Sequence, residues 1–214
     1  MSDDRLKITE IFASIQGESD LVGWPTVFVR LTGCPLRCRW CDTPYSFHGG
    51  QWWEFDRIVD EVRRLGPERV CVTGGEPLAQ KRCLGLLERL CDEGFTVSLE
   101  TSGAISVAEV DPRVIKVVDF KAPGSAEMER NLWANLDHLQ QPDQIKIVIA
   151  DRADFDWAVS ELEARRLDRW QVLFSPVWNE LKPETLAEWI LQARVPARLQ
   201  VQLHKYLWGE APGR

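Results

Sequence analysis

The chain has 214 residues, of which 44% are hydrophobic and 28% charged, with a formal net charge of −7. This balance suits one globular domain over residues 1–214 with a sizeable core, and the acidity argues against a broad phosphate-binding surface, so nucleic acid is not expected as a direct partner. Residues 1–10 are acidic and mixed, unlike a secretory or transit peptide, and no apolar run approaches the roughly 20 residues that span a bilayer; a cytoplasmic location without membrane contact is expected.

In chain order, strand-like and helix-like runs alternate. Residues 26–31 (TVFVRL) read as a strand and are followed by a cysteine-rich loop. Phe55, Ile58, Val59, Val62 and Leu65 recur at helical spacing until Gly66-Pro67 stops them. Residues 69–73 predict a second strand, and Leu84, Leu87, Leu90 and Cys91 mark the helix after it. Strands are expected at 95–100 and 114–120, then a helix over 126–139 with Leu132, Leu136 and Leu139 on one face. A strand at 144–149 precedes Asp151, which resembles an N-cap for a helix carrying Phe155, Val159 and Leu162. A strand at 171–174, a helix at 183–193 and a last strand at 199–203 complete the order.

Such alternation implies an α/β fold with a mostly parallel sheet. A closed eightfold barrel takes about 250 residues, so an incomplete (β/α) barrel is expected, with a doubly wound open sheet as the alternative. Strand ends lead into polar or glycine-rich residues, among them Thr73-Gly74-Gly75-Glu76, Glu100-Thr101-Ser102-Gly103, Asp119-Phe120-Lys121 and His204-Lys205. In parallel α/β folds these ends share one face, where ligands bind.

Cys34, Cys38 and Cys41 form a C-x3-C-x2-C run, while Cys83 and Cys91 read as packing residues. A structural zinc site wants four protein ligands, normally in two separated pairs. Three thiolates in one loop, with His48 placed as a loop residue, favour an iron–sulfur cluster with one iron open to bind something else; zinc remains the other reading.

The triplet, followed by Gly-Gly-Glu at the next strand end, resembles the radical S-adenosylmethionine superfamily. Further segments narrow the resemblance to the 7-carboxy-7-deazaguanine synthase family: Glu10 through Glu18 (EIFASIQGE), Trp40-Cys41-Asp42-Thr43, Glu100-Thr101-Ser102-Gly103 and His204-Lys205-Tyr206-Leu207. Matches run from Glu10 to Leu207, nearly the whole chain. The resemblance implies a 4Fe–4S cluster on Cys34, Cys38 and Cys41. It also implies S-adenosylmethionine, cleaved reductively to a 5′-deoxyadenosyl radical, and Mg2+ on Thr43.

By the same resemblance, the chain is a lyase that ring-contracts 6-carboxy-5,6,7,8-tetrahydropterin with loss of ammonia, in queuosine or deazapurine synthesis. It would draw on an external electron donor and act as a homodimer. Substrate contacts are implied at Ile15, Gln16, Gly17, Glu18, Arg30, Thr73 and His204. Cofactor contacts are implied at Trp40, Cys41, Asp42, Gly75, Glu76, Lys121, Ser175, Pro176, Val177 and Trp178. A glycyl-radical enzyme activase and a non-catalytic metal-binding module are the competing readings. Ser19, where these enzymes often carry glycine, Asp119-Phe120 before Lys121, and the tail from Trp208 to Arg214 depart from the family pattern.

Overall fold

The protein is described by a computed structural model over residues 4–211 and 213; residues 1–3 of the acidic start, and Pro212 and Arg214 of the tail, lie outside the described residues. Nine strands form one sheet: β1 (Arg5–Ile15), β2 (Pro25–Leu31), β3 (Gln51–Glu54), β4 (Arg69–Gly74), β5 (Thr96–Thr101), β6 (Ile115–Phe120), β7 (Gln144–Ile149), β8 (Gln171–Pro176) and β9 (Ala197–Leu199). Their spatial order is β3-β1-β2-β4-β5-β6-β7-β8-β9, so β3 and β9 are edges and the sheet does not close. From β2 to β9 every neighbouring pair is parallel, whereas β1 pairs antiparallel with β2 and β3. This is the incomplete barrel that the sequence predicts.

The helices are α1 (Phe55–Leu65), α2 (Cys83–Asp92), α3 (Arg152–Arg165), α4 (Pro183–Ala193) and the short α5 (Leu203–Trp208). Gly66 ends α1 at φ 102°, a left-handed position that favours glycine. Asp151 caps α3, its side chain accepting from Asp154 N at 3.0 Å.

Strand alternation separates the core from the site. Val27, Val29 and Leu31, Val70 and Val72, Val97 and Leu99, and Ile145, Ile147 and Ile149 are buried in the core cluster that includes Ile58, Leu86, Leu87, Phe155 and Leu186 of α1–α4. The intervening residues face the other way. Arg30, Thr73, Glu100, Asp119 and Lys146, one each from β2, β4, β5, β6 and β7, line a cavity. Because the side-chain period of a strand is two, one sheet presents an apolar face to the helices and a polar face to ligand.

Two sequence expectations fail, and β1, β3 and α5 go unforeseen. Residues 126–139 form no α-helix; short 3-10 turns occupy Met128–Arg130 and Trp133–His138. Asparagine side chains compete for the backbone there. Asn131 bonds both Lys121 N and Lys121 O, at 2.8 and 2.9 Å, and the buried Asn135 holds Val107 N, Gly103 O and Ile105 O. Trp133 stacks on Phe120, centroids 4.4 Å apart, which lays the segment across strand ends, and Leu132 stands exposed. The last strand ends at Leu199, and His204 and Lys205 lie on α5 instead of at a strand end. The chain turns there because Leu203 N bonds back to Gly17 O at 3.0 Å. The long first strand β1 and the edge strand β3 have no counterpart in the sequence reading. Among the described residues, no helix is long and apolar enough to cross a membrane.

Candidate active site

The loop after β2 carries the cysteines. Buried Leu36 anchors it, Arg37 Nη1 donates to Cys34 O and Leu36 O at 2.7 and 2.6 Å, and Arg39 N donates to Ser125 O at 3.0 Å. The exit of β4 presses against the same loop. Glu76 N donates to Gly33 O at 2.8 Å, and a Cβ on Gly75 would lie 2.4 Å from Gly33 O and 2.7 Å from Cys34 Cβ. Glycine at 75 is therefore a packing requirement of this loop.

Cys34, Cys38 and Cys41 are unpaired and half-buried, and all three line one cavity of about 330 Å3 with Trp40, Lys121, and Ser175, Pro176, Val177 and Trp178. Burial pushes the Cys34 thiol up and that of Cys38 to about 11, so a ligand that takes them as thiolates must supply positive charge and displace their protons. Among the described residues, no three His, Cys, Asp or Glu side chains converge as the ligands of a single metal ion. Three thiolates spread around one cavity suit a four-iron cube, which is bound through separate irons. His48 is exposed and does not line this cavity.

A second cavity, of about 220 Å3, adjoins the first. Ile15, Gln16, Glu18, Arg30, Thr73 and His204 line it, and Asp42, Thr43, Gly75, Ser102, Asp119, Lys121, Lys146 and Gln202 line both. Arg30 sits opposite Glu10 across β1 and β2 and donates through Nε to Glu10 Oε1 at 2.8 Å; Tyr45 Oη donates to the same oxygen at 2.9 Å. The terminal nitrogens of Arg30 are then the donors it can offer a ligand. Gln16 Nε2 and Thr73 Oγ1 donate to Glu100 at 3.2 and 3.4 Å.

The two glutamates are driven apart electrically. Desolvation opposes ionisation of Glu18, but the charge and hydrogen bond of Lys146, helped by Gln202, outweigh it and lower the carboxyl. Burial, and then the Glu18 charge, push Glu100 up. Burial also lowers His204, favouring neutral imidazole despite nearby Glu18 and Asp42. At the mouth, Lys205 Nζ pairs with Asp42 at 3.1 Å and tethers α5 to the cysteine loop.

Two of the residues expected in contact with ligand line neither cavity. Gly17 lies beneath His204, where a Cβ would come 2.1 Å from Nδ1. Glu76 is fully buried and accepts from Leu78 N, Thr101 Oγ1 and Ser102 N at 2.9, 2.9 and 2.7 Å, and from Ser102 Oγ. Its carboxylate is spent on its own chain, so the structure offers no free acceptor there for a ligand ammonium. Lys146 and Gln202 are wall residues that sequence reasoning did not single out, while Asp119 was placed only as part of a polar strand end. Alternation was the available signal for Lys146, which sits between Ile145 and Ile147.

Residues 28–117 match the family model described as the radical SAM superfamily. A 7-carboxy-7-deazaguanine synthase of Chlorobaculum tepidum is 47% identical over 95% of this chain and 94% of its own length. The Thermoplasma acidophilum enzyme of the same name is 36% identical over 96% and 99%. Among solved structures, QueE from Escherichia coli superposes with a TM-score of 0.77 at 26% identity, covering 94% of this chain and 95% of that one.

An open, mostly parallel sheet with a three-cysteine loop at its strand ends thus defines a radical SAM protein, a class that implies a 4Fe–4S cluster and S-adenosylmethionine. Within that class, the chain belongs to the 7-carboxy-7-deazaguanine synthase family. The activase and metal-module readings are set aside by these relatives.

Proposed function

We propose that the chain converts 6-carboxy-5,6,7,8-tetrahydropterin to 7-carboxy-7-deazaguanine with loss of ammonia. The observation that carries this reading is the shared wall. A small polar cavity, suited to a ring with many donors and acceptors, shares part of its wall with the cavity of the three cysteines. When bound, the cluster and S-adenosylmethionine supply the radical chemistry that takes hydrogen from the substrate.

The chain's residues do the rest. Gln16 offers a donor and an acceptor, Glu18 accepts from ring N–H groups, and the free edge of Arg30 clamps the carboxylate. Ile15 covers the ring, and Thr73 and neutral His204 complete its hydrogen bonds. Gly17 acts from behind by seating His204. Cys34, Cys38 and Cys41 hold the cluster. Trp40, Asp42, Gly75, Lys121, Ser175, Pro176, Val177 and Trp178 cradle the cofactor, and Glu76 shapes that cradle as a scaffold carboxylate. Mg2+ would be held by the Thr43 hydroxyl, 3.9 Å from Cys41 Sγ, an oxygen donor of the kind that ion prefers. An external donor supplies the electron, and a homodimer in the cytoplasm, acting on a free small molecule, is the working form.

Anaerobic reconstitution with reductant, Mg2+, S-adenosylmethionine and the tetrahydropterin should yield the deazaguanine by mass spectrometry, and Cys38→Ala should yield none. An intact cluster that cleaves S-adenosylmethionine without this product would overturn the substrate assignment. Turnover unchanged in chelator would remove the ion from Thr43.

A further inference from the structure

Two buried carboxylates of this protein are fully engaged by the scaffold. Glu76 is saturated by Leu78 N of its own loop and by Thr101 and Ser102 at the end of β5. Asp143, just before β7, accepts from Lys116 N and Gln140 N at 2.8 and 2.9 Å and pairs with Lys116 Nζ at 2.8 Å. Both serve the scaffold, and neither lines either of the two site cavities.

Glu18 differs. Its Oε1 accepts from Gln202 Nε2 at 2.8 Å, its Oε2 accepts from Lys146 Nζ, and no other side-chain donor reaches it among the described residues. An ionised carboxylate has about four lone-pair sites, so each oxygen keeps acceptor capacity after these bonds. The three side chains come from the loop after β1, from β7 and from the segment before α5, and all three line the polar cavity. Three distant parts of the chain therefore converge on a carboxylate that is left half-used. Lys146 offsets the cost of burying its charge, and Gln202 is steadied from the other side by Asp42 Oδ2 at 3.4 Å.

We infer that Lys146 and Gln202 are positioning residues that fix Glu18 as a two-pronged acceptor for a 2-amino-4-oxopyrimidine edge, and thereby set the preference for that edge over a 2,4-dioxo ring. This rests on the function proposed above and adds which residues read the ring. The amino form presents two adjacent N–H donors, as a guanidinium does, and these match two carboxylate oxygens. A 2,4-dioxo ring turns a carbonyl oxygen toward the carboxylate, leaving an acceptor facing an acceptor in a buried site.

The test titrates 6-carboxypterin, a non-reacting analogue, and its 2,4-dioxo counterpart 6-carboxylumazine into reconstituted protein, read by ligand fluorescence. Wild type should prefer the amino form by about tenfold to a hundredfold. Lys146→Met and Gln202→Leu should each lose most of that preference, with substrate KM rising more than kcat falls, and Lys146→Arg should recover part of it. Thermal unfolding reports whether each variant folds, and Gln202→Leu decides the matter if Lys146→Met does not. A folded variant that keeps the full preference overturns the inference, as does a wild type that forms product without any preference. A wild type that binds neither ligand and forms no product overturns the function on which the inference rests.

Discussion

Glu18 and Glu100 share one cavity, yet their surroundings pull their carboxyls in opposite directions, and pH can separate the two. Glu18 is lowered, so its contribution is complete above the ordinary value of 4.5 and is lost as pH falls through the folded value. Glu100 is raised by burial and by Glu18. Its folded form holds a proton that the unfolded form has released, so it costs stability as pH rises from 4.5 toward and through the folded value. Glu100→Gln should therefore gain stability relative to wild type between pH 5 and pH 8, measured by urea unfolding at each pH. An equal difference at both would show Glu100 unperturbed. At this scale the cysteines, Gln16, Arg30 and Thr73 were legible because they lie in motifs or at strand ends. Lys146 was not, since a lysine inside QIKIVI reads as strand until the sheet assigns its face. The saturation of Glu76 was hidden as well, because its donors Thr101 and Ser102 come from the next strand.

Among the elements, the strand-to-loop junction at Gly75 sets backbone directly against backbone. Gly75→Ala would drive a Cβ into Gly33 O and Cys34 Cβ, and backbone at that distance cannot yield without moving the cysteine loop. The expected result is a folded protein that takes up much less iron and sulfide on reconstitution; full iron loading would show that the loop tolerates the shift. The sequence predicted the parallel strands from β2 to β8 closely, since buried parallel strands are near-continuous apolar runs bounded by polar exits. It misread 126–139 because leucines at helical spacing also suit a loop pinned by Asn131 and Asn135, whose side chains replace helical hydrogen bonds. It also missed β1, whose mixed burial lacks clean alternation, and α5, which depends on the remote bond from Leu203 N to Gly17 O.

For the molecule as a whole, cluster-bearing and core cysteines should behave differently. Cys34→Ala, Cys38→Ala and Cys41→Ala should each fold, by circular dichroism, but lose iron, sulfide and product. Cys83→Ala should keep its iron and cost roughly 1 kcal/mol of stability, because Cys83 is wholly buried against the helical face of the sheet. Iron retained in any of the first three, or lost in the last, would contradict this division. Chain-local chemistry was decided by the sequence alone: the cysteine spacing, the glycine-rich strand exits, the alternation of β and α, and with them the family. Those signals act within a few residues, where spacing and backbone freedom suffice. Tertiary structure alone decided which carboxylates stay open to a ligand, that Lys146 joins Lys121 in lining both cavities, and how α5 is tethered at the mouth. Hydrogen-bond saturation and burial there depend on partners as far apart as Glu18 and Gln202, which local pattern does not relate.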